Sequence, residues 1–263
     1  MRKRLARHAG RRHATALVIS LALAACAPEI EPSRPTAAAA PQALYPPPIE
    51  PRPARHADFR GVVAGSEARH IADWAVDSGD HRGAPFLVVD KAAAHAYLFD
   101  REGILAGHAP VLLGLARGDD TPPGIGDKPL SAIRPDERIT GAGRYVGELG
   151  YNLRGEDVLW VDYDEGLSLH RVLTTNRKER RAHRLATPTT ADNRVSYGCI
   201  NVPVKFFEQV VRPAYRSTRG MIYVLPETRP ARVVFHSYDV DERARLDATA
   251  HRAVQAAAAT LVR

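Results

Sequence analysis

The chain has 263 residues, a formal net charge of +7 and two cysteines. Positions 1–25 hold six basic residues and no acidic ones, so the rest of the chain carries 31 basic and 30 acidic residues, a formal +1. That balance argues against a nucleic-acid partner. The cysteines form neither a CxxC pair nor a Cys/His zinc spacing, so no metal or other cofactor is expected.

The N-terminal segment 1–25 has the features of a signal peptide. Its basic start precedes an apolar run, 14–25, that is too short to span a bilayer. The sequence "LAAC" at 23–26 resembles the lipobox of bacterial lipoproteins, which implies an acylated Cys26 inserted in a lipid bilayer. Ala27 follows in place of an aspartate, and the resemblance then implies the periplasmic face of an outer membrane. The alternative is an ordinary signal or membrane anchor with an incidental cysteine.

A tether and a short lead-in are predicted over residues 26–84. Residues 26–55 hold nine of the twenty prolines and few large apolar side chains. This composition favours an extended polyproline segment, which at ~3 Å per residue would reach about 90 Å from a membrane. Residues 56–84 predict one short helix around Trp74.

Residues 85–227 predict a β-rich domain of mainly β (α+β) class. Apolar and polar residues alternate along short segments that end at turn signals. The predicted strands are 85–90, 94–100, 103–114, 143–149, 157–164, 167–172 and one within 221–227. Helical spacing over 201–215, with Pro203 in the first turn, predicts a helix directly after Cys199.

Residues 228–263 are predicted to form a C-terminal strand/helix extension. The helix over 241–263 opens on acidic residues and ends on arginine, as the helix dipole prefers. Its apolar stripe is expected to pack on the domain; the stripe consists of Leu246, Ala250, Val254, Ala257 and Leu261.

Cys199, in "RVSYGCINVP", is a lone thiol with two possible roles, a nucleophile or an inert buried side chain. A helix beginning near residue 201 would place free amides and a positive dipole end at the sulfur, which lowers a cysteine pKa and supplies oxyanion donors. Gly198 would let a carbonyl group approach closely. These features describe a nucleophile for acyl transfer. An inert buried cysteine fits the spacing about as well.

His170 is the candidate base. It ends the apolar strand "LSLHRV", where a neutral imidazole would be fixed in place to accept the thiol proton. His183 lies in the charged segment "RKERRAHRLATP", so a solvated surface position suits it better.

A histidine ending a strand, followed by "SYGCIN", resembles the signature of the L,D-transpeptidase (YkuD-type) catalytic domain. "TPPGIG" at 121–126 resembles that family's Thr-Pro-x-Gly-x-aromatic element, with Gly126 in the aromatic position. The resemblance spans about 85–227. It implies the family's β-fold, with a helix after the cysteine.

The resemblance also implies roles for individual residues. Cys199 matches the nucleophile and His170 the base. Ser196 and Gly198 match the residues that shape the pocket, and Asn201 the polar position after the cysteine. Backbone N–H groups near Gly198 and Cys199 would form the oxyanion hole.

Two departures from the family pattern concern the pocket. Tyr197 replaces the usual histidine before Gly-Cys, and a phenol is a poor base at neutral pH. In addition, 25 residues separate His170 from Ser196, a longer spacer than usual. Arginines of this spacer would meet substrate carboxylates: Arg177, Arg180, Arg181 and Arg194. A solvated loop is the alternative.

The implied function is modification of peptidoglycan. Cys199 would attack the carbonyl of the third stem-peptide residue, release the terminal D-alanine and form a thioester, which an amine would resolve. Two alternatives remain. Water would resolve the same thioester in an L,D-carboxypeptidase, and a catalytically silent peptidoglycan-binding lipoprotein would do neither.

Overall fold

The computed structural model describes residues 50–261, with side chains to residue 260. These residues belong to one structural unit. The predicted signal peptide, Cys26 and most of the tether lie outside the described residues. Within 50–261, no helix is both long enough and apolar enough to cross a membrane.

The fold is α+β, and a large mixed sheet is its centre. Eight strands lie in the order β3-β2-β1-β10-β5-β6-β7-β9, and β4 and β8 form a separate parallel pair. Within the large sheet, β1 pairs parallel with β10 and β7 pairs parallel with β9. The strands are β1 Phe86–Asp90, β2 His95–Phe99, β3 Leu105–Pro110, β4 Leu113–Gly114, β5 Gly143–Tyr151, β6 Asp157–Asp162, β7 Leu167–Arg171, β8 Arg194–Ser196, β9 Ile200–Val202 and β10 Gly220–Val224. Every predicted strand segment from 85 to 172 is confirmed as strand, with 103–114 divided into β3 and β4.

The helices are short except at the two ends of the described chain. They are α1 Ser66–Ser78, α2 Arg181–Ala186, α3 Val204–Phe206, α4 Arg212–Tyr215, α5 Ala231–Phe235 and α6 Val240–Leu261. A π-helical segment, Phe207–Val211, joins α3 to α4. Four 3₁₀ turns occupy Ile125–Asp127, Leu130–Ala132, Pro135–Glu137 and Arg177–Glu179.

Strand alternation divides the core into two clusters. Successive side chains of β1 point to opposite faces, so Leu87 and Val89 join one cluster while Phe86 and Val88 join the other. The first cluster lies against β6, β7, β9 and the helical segment after β9, and therefore supports the region of Cys199. The second cluster is covered by α1 and α5.

The lead-in is part of this second cluster rather than of the tether. Ile71 and Trp74 of α1 are buried, and the Trp74 ring contacts Tyr223 edge-on at 6.1 Å. Asp58 forms a β-bridge with Ile104, directly before β3. The predicted helix around Trp74 is confirmed. The folded unit begins well before residue 85, because the sheet face over β1 needs α1 to cover it.

The predicted helix over 201–215 is confirmed from Val204 onward, but its expected start directly after Cys199 is wrong. Residues 200–202 form β9, and the backbone N–H and C=O of Asn201 both bond to Leu112. These strand bonds occupy the backbone groups that a helix would use. Helical structure begins only at Val204, after Pro203 in the N-cap position.

Two predictions for the C-terminal extension are also wrong. Residues 228–261 contain α5 and α6 and no strand. Among the described side chains of the α6 stripe, up to Ala257, none packs on the domain: Leu246 is 63% exposed and Val254 55%. The helix is held at its start instead, where Arg243 donates to the buried Asp77 of α1 at 2.6 Å.

These contacts predict a large loss of stability from a change in α1 and almost none from a change at the end of α6. Trp74→Ala should reduce the free energy of unfolding by about 3–5 kcal/mol, since it empties a buried aromatic site. Deleting residues 253–263 should change it by less than about 0.5 kcal/mol, because the described side chains there are exposed. Urea unfolding measures both. A large loss on truncation would show that the α6 stripe packs on the domain after all.

Candidate active site

Parallel pairing of β7 with β9 brings the two candidate catalytic residues together. His170 lies opposite Asn201, and Leu169 lies opposite Ile200. Cys199 directly precedes β9, so it reaches the level of Ser168 on the neighbouring strand. Because side chains two apart on a strand share a face, Ser168 and His170 both face the thiol.

The imidazole of His170 is oriented by the main chain of the next residue, Arg171. Nδ1 lies 2.7 Å from the carbonyl oxygen of Arg171, which accepts its proton and leaves Nε2 for Cys199. Burial lowers the pKa of His170, but the hydrogen bond to Cys199 and the charge of its thiolate raise it above the ordinary 6.5. The protonated imidazole is therefore favoured beside the sulfur.

The thiol of Cys199 shows the complementary shift. Burial raises its pKa, but the hydrogen bond and charge of His170 outweigh burial, and the pKa falls below 9.0. Ser168 also lowers this pKa through its hydroxyl, 3.6 Å from Sγ, and through its backbone N–H. Both shifts favour a thiolate beside an imidazolium. The helix dipole expected from the sequence plays no part, since no helix begins at Cys199.

Ser196 and Asn201 hold the main chain of Cys199 and do not line the cavity. Ser196 Oγ donates to the carbonyl oxygen of Cys199 at 2.6 Å, and Asn201 Nδ2 donates to the same oxygen at 3.2 Å. Both side chains are buried. They were predicted to shape the pocket, but the structure places them behind it, against the main chain of Cys199.

Gly198 shapes the turn but does not supply a free oxyanion donor. Its φ of +133° is a conformation that favours glycine, and a Cβ there would lie 3.0 Å from the carbonyl oxygen of Ile139. Its N–H donates to Ser196 Oγ at 3.1 Å. Within the described chain, the N–H of Cys199 itself has no acceptor. Cys199 therefore provides the backbone donor available to an oxyanion.

Thr140 fixes the peptide between Gly198 and Cys199. Its Oγ1 donates to the carbonyl oxygen of Gly198 at 2.7 Å and accepts the N–H of Gly114 at 2.8 Å. Its own carbonyl oxygen accepts from the buried Lys91 at 3.0 Å. Sequence analysis missed Thr140, because nothing in the local pattern around residue 140 relates it to a turn so distant in the chain.

Arg194 belongs to a buried charge cluster and is not available to a substrate. Its guanidinium donates to Glu227 at 2.7 Å and to the carbonyl oxygen of Lys91 at 2.9 Å. Lys91 in turn pairs with Asp119 at 3.0 Å. The predicted contact of Arg194 with substrate carboxylates is therefore wrong, because its charge is already neutralised inside the protein.

Arg181 is also occupied. The spacer between β7 and β8 folds into a 3₁₀ turn and α2, and Arg181 donates to Asn201 Oδ1 at 2.6 Å and to Glu179 at 2.5 Å. Its charge acts to lower the pKa of His170. Arg181 thus attaches the spacer to β9 beside His170. His183 is exposed and has no contact with Cys199.

A cavity of about 100 Å³ opens onto the sulfur. Tyr197, Gly198 and Cys199 form one side, and Thr121, Ile125 and Gly126 of the "TPPGIG" segment form another. A Cβ at Gly126 would lie 2.0 Å from the carbonyl oxygen of Asp164, so the β6–β7 turn occupies the space of a larger side chain.

Tyr197 contributes an aromatic wall to this cavity. The guanidinium carbon of Arg138 lies 3.9 Å from the centre of its ring, and Arg138 is itself anchored to the carbonyl oxygen of Ile133. Tyr197 is thereby fixed in place without acting as a base.

His170 borders a second cavity, of about 340 Å³. Tyr151, Asp157 and Leu173 line it with His170. His170 thus lines this second cavity, whereas Cys199 lines the first.

Ser168 is the second residue that sequence analysis missed, and here a signal existed. It lies two positions before His170 on a recognised strand, so the period of two already places it on the same face.

No family model matches the chain, and a search of curated proteins finds no relative. Among residues 50–261, no group of three or more His, Cys, Asp or Glu side chains is placed to hold a metal ion.

The charge pair predicts the pH dependence of thiol reactivity. Alkylation of Cys199 by iodoacetamide should have a midpoint below the ordinary 9.0 of a cysteine. His170→Ala should shift the midpoint upward and slow alkylation at pH 7 by about tenfold, the effect of losing one charge-assisted hydrogen bond. Cys199→Ala supplies the background from the other cysteine. Equal profiles for wild type and His170→Ala would disprove the pair.

Thr140 gives a stability test with a matched control. Thr140→Val leaves the buried Gly114 N–H and Gly198 carbonyl without partners, which should cost about 1–3 kcal/mol. Thr140→Ser keeps the hydroxyl and should recover most of that loss. Urea unfolding compares the variants. Equal stability of the Val variant and the wild type would contradict the assigned hydrogen bonds.

Proposed function

We propose that this protein is a cysteine acyltransferase of the L,D-transpeptidase type that acts on peptidoglycan stem peptides. The observation that supports this most is the pairing of Cys199 with His170, whose pKa values shift in opposite directions. Charge separation of this kind activates a thiol for attack on a carbonyl group. The β-fold and the "TPPGIG" wall beside the sulfur agree with the resemblance to that family.

The first half-reaction forms a thioester. The thiolate of Cys199 attacks the carbonyl carbon of the third stem residue, and the N–H of Cys199 donates to the oxyanion. Collapse of the tetrahedral intermediate breaks the amide bond to the terminal D-alanine. The imidazolium of His170 gives its proton to the leaving amine and becomes neutral.

The second half-reaction transfers the acyl group. An amine on another stem attacks the thioester carbonyl, neutral His170 takes the proton from that amine, and the thiolate of Cys199 leaves. The second cavity is lined by His170, and we place the acceptor amine there, within reach of the base.

The tyrosine at position 197 is compatible with this chemistry. His170 and Ser168 already account for the lowered pKa of Cys199, so no second base is needed. Tyr197 provides a wall, held by Arg138. The partners proposed from the sequence complete this picture: an acylated Cys26 in the outer membrane and a tether that carries the domain toward the cell wall.

The proposed activity predicts a covalent intermediate. Incubation of the protein with a carbapenem should add the mass of the drug, the adduct should be absent from Cys199→Ala, and its formation should slow by about 10²–10⁴ in His170→Ala. Intact-mass spectrometry measures all three. An adduct that survives Cys199→Ala would refute the assigned nucleophile.

The products of a tetrapeptide muropeptide separate the remaining alternatives. Cross-linked dimers with free D-alanine support transfer, whereas a tripeptide alone indicates a carboxypeptidase. Binding to peptidoglycan sacculi, with no product and no carbapenem adduct, would identify a silent binding protein instead.

A further inference from the structure

Glu165 is the acidic residue of the cavity that opens onto Cys199. It lies on the turn between β6 and β7, next to Gly166, whose carbonyl oxygen is 3.5 Å from the sulfur. Glu165, Gly166 and Leu167 form one wall of the cavity, facing Tyr197 and the "TPPGIG" segment. Glu165 is therefore the chain neighbour of Gly166, which contacts the sulfur of Cys199 directly.

The charge of Glu165 is not compensated by the described part of the protein. Its Oε2 is shielded from solvent and has no hydrogen-bond donor within residues 50–261. Leaving a carboxylate oxygen away from water without a donor is costly, so such a group is usually completed by a partner.

The cation that lines the cavity and the one behind Tyr197 have other partners. Lys128 Nζ donates to Glu137 at 2.6 Å, and Arg138 stacks on Tyr197 and donates to Ile133. Within the described residues, neither donates to Glu165 Oε2. The cavity is left with one unneutralised negative group on the wall that adjoins the nucleophile.

We infer that Glu165 binds a positively charged amine on the acyl donor and so determines which third residue is accepted. This inference rests on the proposed function, in which the carbonyl of that third residue is attacked by Cys199. The cavity of about 100 Å³ is smaller than the ~300–1,000 Å³ of a pocket for a drug-sized ligand. It suits one unbranched side chain that ends in an ammonium group.

The charge state of the amine distinguishes donor from acceptor. An amine that attacks a thioester must be neutral, whereas a carboxylate favours the protonated ammonium form. Glu165 would therefore weaken an acceptor amine as a nucleophile but would anchor a donor side chain without chemical conflict. The donor is the occupant that the chemistry favours.

Binding of two tetrapeptides that differ only at the third residue tests this inference. One carries lysine and the other norleucine, which has the same chain without the charge. Measured by calorimetry on full-length Cys199→Ala, the lysine peptide should bind about tenfold more tightly, as one charge-assisted hydrogen bond allows. Adding Glu165→Gln should reduce this preference to less than twofold and leave norleucine binding unchanged.

Asp164→Asn is the matched control. It removes the same charge from the neighbouring, exposed position on the same turn and should keep the tenfold preference. Glu165→Ala should behave like Glu165→Gln, which guards against an effect of the glutamine itself. Equal binding of the two peptides, no binding of either, or a preference that survives both Glu165 variants would overturn the inference.

Turnover separates this inference from the proposed function. Release of D-alanine from the lysine peptide is measured on protein with Cys199 intact. A binding preference that depends on Glu165, without turnover, would retain the inference and reject the transferase. Turnover without such a preference would retain the transferase and reject the role of Glu165.

Discussion

Parallel pairing between β7 and β9 sets His170 opposite Asn201 and thereby places the imidazole beside Cys199. Parallel strands are joined through long connections, so the residues that separate His170 from Cys199 are free to form α2 and β8 without disturbing the pair. The register matters as much as the pairing. A slip of one residue would turn Ser168 and His170 to the opposite face of β7 and leave the thiol without a charge partner.

The backbone around Cys199 is fixed from behind by polar groups that are nearly all satisfied. Ser196 and Asn201 hold the carbonyl oxygen of Cys199, and Thr140 holds that of Gly198. Behind Thr140 lies the cluster of Lys91 with its acidic partners. Groups that are satisfied on the protein side have nothing to offer a ligand, so the proposed recognition of substrate relies on two that are not: the N–H of Cys199 and Oε2 of Glu165.

Several local patterns were misread because they describe one segment without its neighbours. The spacing over 201–215 is helical, but Leu112 bonds to Asn201 and turns the first residues into a strand. The charged spacer suggests that Arg194 binds a substrate carboxylate, but its guanidinium donates to Glu227 of the protein itself. The stripe of α6 is amphipathic, yet α1 is contacted only near the start of that helix, where Arg243 meets Asp77.

The sequence by itself determined the strand segments from 85 to 172, the helix around Trp74, and one thiol and one histidine as candidate site residues, because strand alternation and residue chemistry are local properties. Only the tertiary structure decided what surrounds the thiol. It removed the expected helix dipole, placed His170 and Ser168 beside the sulfur, moved Ser196 and Asn201 behind the cavity, and left Glu165 Oε2 without a donor. These outcomes depend on contacts between segments distant in the chain, which no local pattern encodes.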